Sequence, residues 1–200
     1  NLKKTEVVMV SGTPGAGKSR LVKFGGTQLK KRGWCFLQSK FDRVVHPEPL
    51  SVLAHAFDEY FRCYAHCPNQ GNDDSSGAAN SDYSYPGRSQ QLHDRLTSFI
   101  SPEGLDILAT YIPSLRCLMD LALPAVMPDV NESLMTALFG ALLHVISSEK
   151  SPIMFFVDDL QWADPLSVSL IVALVKEAHS RSLQLSVSCA DSQCAIIDDK

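Results

Sequence analysis

The residues Gly12-Thr13-Pro14-Gly15-Ala16-Gly17-Lys18-Ser19 have the types and the spacing that hold phosphate. They fit G-x-x-x-x-G-K-[ST], directly after an apolar run and directly before a helical pattern. Glycine lets the backbone bend tightly, so successive N–H groups from Gly15 to Ser19 can point inward. Such a nest at a helix N-terminus, where the dipole is positive, suits the phosphates of a nucleotide. Lys18 is then expected to reach the β- and γ-phosphates, and Ser19 to offer its hydroxyl to Mg²⁺.

A second group lies far down the chain, in Ile153-Met154-Phe155-Phe156-Val157-Asp158-Asp159. An apolar strand ending in two carboxylates brings them to the C-terminal end of a parallel sheet, where ligands bind. Adjacent strand residues face opposite ways, so the two acids can take different roles. Asp158 is expected to hold the metal, directly or through a water. Asp159 is expected to orient or deprotonate an attacking water. An apolar run closed by Asp-Asp can also be a plain strand cap, and the phosphate loop beside it favours the chemical reading. In Leu160-Gln161-Trp162-Ala163-Asp164-Pro165, Gln161 is near enough to the acids to touch the γ-phosphate or its water. Trp162 reads as core packing rather than base stacking. Asp164 before Pro165 reads as a helix cap.

These groups need elements to position them. Glu6 to Ser11 reads as a buried strand, Lys18 to Arg32 as a helix weakened by Gly25-Gly26, and Trp34 to Phe41 as a second strand. Ser51 can cap a helix carrying Leu53, Phe57, Tyr60, Phe61 and Tyr64. Residues 66–89 are rich in Asn, Ser, Gly, Asp and Pro and read as a flexible insertion. Leu92, Leu96, Phe99 and Ile100 recur at helical spacing, and Ser101-Pro102-Glu103 starts another helix. Pro113, Pro124 and Pro128 punctuate short helical pieces. Asn131 to Ser147 is a strong helix with Met135, Phe139, Leu142, Leu143 and Ile146 along one side. Ile153 to Val157 is the third strand, Asp164-Pro165 opens a helix to about His179, and Leu183 to Ser188 is the fourth strand. Strands alternating with helices predict an α/β fold, a three-layer domain with a mostly parallel sheet.

Composition agrees. The 200 residues are 45% apolar and 20% charged, enough to bury one sizeable core. A net charge of −4 provides no footprint for non-specific nucleic-acid or anionic-membrane binding. No signal peptide and no apolar stretch of membrane-spanning length is visible. Six cysteines are scattered without C-x-x-C spacing, which reads as reduced thiols in an intracellular protein. His66 beside Cys63 and Cys67 lacks the second spaced pair that a closed zinc site needs. A first residue other than Met suggests a piece of something longer.

Gly12 to Val22 (GTPGAGKSRLV), and more sharply Phe156 to Asp164 (FVDDLQWAD), resemble the regulatory ATPase domains of the AAA/STAND type, in the origin-recognition-complex-like AAA-16 group. Lys40-Phe41-Asp42 followed by Pro49-Leu50-Ser51 adds weaker support. The resemblance spans nearly the whole chain, with 66–89 as its least family-like part. It implies ATP rather than GTP as ligand, bound along Gly12 to Arg20. It implies an ASCE-type P-loop sheet in which the Asp158 strand and the phosphate-loop strand flank the fourth strand. The lid and fifth strand of the family would lie beyond Lys200. Such domains sit inside larger signalling proteins, so the expected partners are neighbouring domains of the same protein, with self-association as a further option. Asp159 stands where many AAA enzymes carry Glu, which implies slow hydrolysis. Ser188-Cys189-Ala190-Asp191-Ser192 stands where relatives often have Arg-Asp. No arginine finger is assigned, and Arg20, Arg32, Arg43, Arg88, Arg95, Arg116 and Arg181 are candidates by elimination.

The expectation is thus an ATP-binding, Mg²⁺-dependent ATPase that serves as a switch. One alternative is a nucleotide-binding interaction module with little hydrolysis. Another is a small-molecule kinase sharing the phosphate loop, against which no basic lid or acceptor pocket is visible.

Overall fold

The structure is a computed structural model, and it describes residues 6–43, 49–62, 86–122, 131–147, 152–178 and 183–189. The chain divides into two compact units, Asn1–Ala56 with Val130–Lys200, and Phe57–Asp129.

The first unit contains β1 (Glu6–Ser11), α1 (Lys18–Lys30), β2 (Cys35–Lys40) and the start of α2 (Ser51–Arg62). The other described elements follow in chain order. In the second unit these are α3 (Pro86–Phe99), α4 (Pro102–Tyr111) and α5 (Pro113–Met119). The chain then returns to the first unit with α6 (Glu132–Ile146), β3 (Ile153–Asp158), α7 (Pro165–Ala178) and β4 (Leu183–Cys189). All strand pairs are parallel, in the order β1-β4-β3-β2. β1, which leads into the Gly12–Ser19 loop, and β3, which ends in Asp158, therefore flank β4, as the family resemblance implied.

Parallel pairing explains the sequence of β3. A strand inside such a sheet is covered on both faces and reads as an unbroken apolar run. Ile153 through Asp158 are all buried. Met154 and Phe156 face Val22 of α1, together with Val10, Leu29, Trp34 and Phe36. The alternate residues Ile153, Phe155 and Val157 are buried just as deeply on the other face. On the helices, Leu142, Leu143 and Ile146 of α6 and Leu170, Ile171, Leu174 and Val175 of α7 are buried, the faces expected from their spacing.

The Gly25-Gly26 pair has two different explanations. A Cβ on Gly26 would lie 2.5 Å from Phe36 Cε2, so this glycine lets α1 approach the sheet. The Phe36 ring is itself stacked on Phe156, with centroids 6.3 Å apart, and cannot swing away freely. Nothing lies within 4 Å of a Cβ on Gly25. Gly25→Ala is therefore expected to stabilise the fold by up to about 1 kcal/mol through helix propensity. Gly26→Ala is expected to destabilise it by about 1–3 kcal/mol through overpacking. Chemical denaturation midpoints of the two variants measure the contrast, and equal shifts would refute it.

Local details depart from the sequence reading in several places. β1, expected to be a buried strand, leaves Val8 51% exposed. Ser51 does not cap α2. The Ala54 N–H donates to the Leu50 carbonyl at 2.8 Å, and Leu50 takes a left-handed conformation (φ 66°) at the helix entry. Ser51 Oγ is buried without a hydrogen-bond partner. Residues 86–89, assigned to the insertion, form the first turn of α3. The rest of that stretch, with Cys63, Tyr64, His66, Cys67, Pro124 and Pro128, lies outside the described residues. Trp162 does not fill the core, being 45% exposed. The expected caps at Ser101 and Asp164 are present: Ser101 Oγ accepts from Gly104 N at 3.2 Å and Asp164 Oδ1 from Ser167 N at 2.9 Å.

In the second unit the core is formed by Phe57, Phe61, Leu96, Leu108, Ile112 and Leu115. Asp58 is buried and bridges two helices. Its Oδ1 accepts from the Ser114 N–H at the start of α5 at 2.7 Å, and its Oδ2 from Arg62 at 3.0 Å. Pro113 stands at the first position of α5, where it has no N–H to leave unsatisfied.

Candidate functional site

The loop between β1 and α1 carries the first group of candidate residues. Gly12, Gly15 and Gly17 all have positive φ, at 153°, 82° and 85°. Gly17 stands at the cap of α1 in left-handed conformation, and no side chain caps the helix there. The first N–H groups of α1 are thereby left to whatever the loop encloses. A side chain at Gly17 would force the strained left-handed region on an ordinary residue.

Lys18 bends back over this loop. Its ammonium donates to the Gly12 carbonyl at 2.7 Å and to the Thr13 carbonyl at 3.1 Å. The ammonium thus lies over the loop, where an incoming phosphate would compete for it. Thr13, Pro14, Gly15, Ala16 and Arg20 are exposed around it, and Lys18 and Ser19 are half-buried. Thr13 also closes the turn, accepting the Ala16 N–H at 3.2 Å.

Asp158 and Asp159 follow from β3. All strands are parallel, so the loop after β1 and the acids after β3 leave the sheet at the same end. One strand, β4, separates them, which at the usual strand spacing is roughly 10 Å. Asp158 is the last residue of β3 and is buried, at 2% exposure. Asp159 diverges from it by a backbone reversal, not by strand alternation. It takes a left-handed conformation (φ 57°, ψ 42°), which Asp tolerates better than most residues. A single 3-10 turn, Leu160–Trp162, follows.

Among the described residues the Asp159 carboxylate has two polar neighbours. Oδ1 accepts from Gln161 Nε2 at 3.3 Å, and Oδ2 lies 3.7 Å from Lys40 Nζ. Gln161 thus meets the acid itself. Lys40 closes β2 directly opposite Asp158 in register. It is exposed, so the ion pair contributes about 0–1 kcal/mol at most, and its importance is positional. Just beyond, the Arg43 guanidinium lies 5.3 Å from the Trp162 ring centroid. Contacts of this kind are worth roughly 0.5–1 kcal/mol at exposed sites.

In the sequence Lys40 belongs only to a weak resemblance, and Arg43 only to the arginines left by elimination. Their signal is the register of β2 on β3, which no local pattern carries. Among the described residues, no group of three His, Cys, Asp or Glu is placed to hold a metal ion. The oxygen donors of Ser19 and Asp158 nonetheless suit Mg²⁺, which takes one or two protein ligands and completes its shell with phosphate and water. Among the described residues no helix is long and apolar enough to cross a membrane.

A family model described as "AAA ATPase domain" matches residues 2–187. No curated protein and no solved structure matches the chain.

Proposed function

The chain belongs to the AAA ATPase domain family, and we propose that it binds Mg·ATP along Gly12 to Arg20, hydrolyses it, and serves as a switch within a larger regulatory protein. The observation that carries this reading is the sheet order. It brings a glycine-rich loop with Lys18 and Ser19 to the same end of the sheet as Asp158 and Asp159. The helices and the sheet would form the three layers of a P-loop fold.

In this reading the loop N–H groups and the start of α1 hold the phosphates, and Lys18 exchanges its bonds to the Gly12 and Thr13 carbonyls for phosphate oxygens. Ser19 and Asp158 would hold Mg²⁺, which when bound supplies positive charge against the phosphate oxygens. Asp159 orients the attacking water and takes its proton. Gln161 and Lys40 fix the Asp159 carboxylate from two sides. Catalysis is then positioning and charge stabilisation, as phosphoryl transfer requires.

The same contacts favour one other reading. A carboxylate already engaged by Lys40 and Gln161 is less available to water, which fits a nucleotide-binding module that turns over little. Both readings share a metal-dependent ligand. Titration with a fluorescent ATP analogue is expected to give saturable binding that weakens at least about tenfold when Mg²⁺ is chelated, the loss of about 1.4 kcal/mol. Equal affinity with and without the metal would remove Ser19 and Asp158 from the assignment.

A further inference from the structure

The end of β2 and the residues after it meet the turn after β3 through two side-chain contacts. Lys40 meets Asp159, and three residues further along each segment Arg43 meets Trp162. The ladder between the strands also continues past its end, since the Phe41 N–H donates to the Asp158 carbonyl at 3.1 Å. Between Asp159 and Trp162 the backbone closes on itself, the Trp162 N–H donating to the Asp159 carbonyl at 3.0 Å. The backbone at Trp162 is thereby coupled to the backbone at Asp159.

The remainder of the turn is anchored from within. Leu160 is buried at 3% exposure, and Asp164 caps α7. Trp162 is the large apolar residue of the turn that faces outward, and its partner comes from a different strand end. An exposed tryptophan contributes little to the core by burial. What it offers here is a flat face for a guanidinium, which stacks on aromatic rings in a way that lysine does not.

We propose that Arg43 and Trp162 form a positioning pair for Asp159, holding the turn after β3 against the end of β2 so that the carboxylate stands between Lys40 and Gln161. The proposal rests on the reading of Asp159 as the acid that handles the attacking water. Neither residue touches the reacting atoms. Their effect passes through the placement of Asp159, where a displacement of about 1 Å can cost up to ~10²-fold in rate.

The test is steady-state phosphate release and Mg·ATP affinity for wild type, Trp162→Ala, Trp162→Phe, Arg43→Ala and the double alanine variant, with Lys18→Ala as the blank. Trp162→Ala is expected to lower kcat by at least about fivefold while Mg·ATP affinity stays within about twofold, since only turnover depends on Asp159 placement. Trp162→Phe, which keeps a ring face, is expected to recover at least about half of the lost rate. Arg43→Ala should match Trp162→Ala, and the double variant should fall no further, because the two act as one unit. A merely structural role would lower the melting temperature without this split between rate and affinity. Wild-type kcat in Trp162→Ala, or losses that multiply in the double variant, would overturn the pair while leaving the ATPase reading intact. Wild-type release no faster than the Lys18→Ala blank would overturn the ATPase reading, and the proposal with it.

Discussion

Lys18→Ala is expected to weaken nucleotide binding at least about 100-fold while leaving the fold intact. Two charge-assisted hydrogen bonds from the ammonium to phosphate oxygens are worth about 1.5–3 kcal/mol each, offset in part by the bonds to the Gly12 and Thr13 carbonyls that Lys18 gives up. Losing both corresponds to ~10²-fold or more in affinity. The fold should tolerate the change because, among the described residues, the Lys18 side chain bonds to carbonyls of its own loop and not to the core. Equilibrium titration with a fluorescent ATP analogue measures the affinity, and circular dichroism checks the fold. Unchanged affinity would remove the phosphate-loop assignment. Lost helicity would make Lys18 a structural residue instead.

Asp159→Asn is expected to slow hydrolysis by ~10²-fold or more, the usual cost of a lost general base, and to leave Mg·ATP binding unchanged. Asp158→Asn should do the reverse at the first step, weakening Mg·ATP binding by removing a metal ligand. The backbone makes Asp159→Asn a clean test. Asp159 lies at φ 57°, and Asn is as comfortable in the left-handed region as Asp. The amide oxygen can still accept from Gln161, so the turn stays in place while the base is removed. The result requires both measurements on each variant. Wild-type turnover in Asp159→Asn would leave the acid as a strand cap. Equal losses of binding in the two variants would show that they do not have separate roles.

Much of this site is visible in the sequence because its parts are local. Gly12 to Ser19 announces a bend between an apolar run and a helix, and each of these stands where it was expected. The apolar run to Asp158 is legible because a strand covered on both faces leaves no room for polar residues. Caps such as Ser101 and Asp164 are legible because a short oxygen-bearing side chain answers an N–H three residues away. The misreadings share a different cause. The left-handed turn at Leu50 displaced Ser51 from its capping role, and apolar character alone does not reveal a positive φ. Size alone places Trp162 in the core, yet it faces out against Arg43. That contact, like the one between Lys40 and Asp159, depends on how β2 pairs with β3 across more than a hundred residues of intervening chain. The order of the strands likewise came from family resemblance, since alternating strands and helices are compatible with several orders.

Hydrolysis of ATP requires this loop and these acids to act together. The most direct measurement is phosphate release from Mg·ATP by the wild-type protein, read against the Lys18→Ala variant under the same conditions. Release above that background is expected, even if slow, because the parallel sheet brings Asp158 and Asp159 to the same end as the Gly12–Ser19 loop. Release indistinguishable from the Lys18→Ala background, in protein that still binds the nucleotide, would contradict it and identify the chain as a nucleotide-binding module.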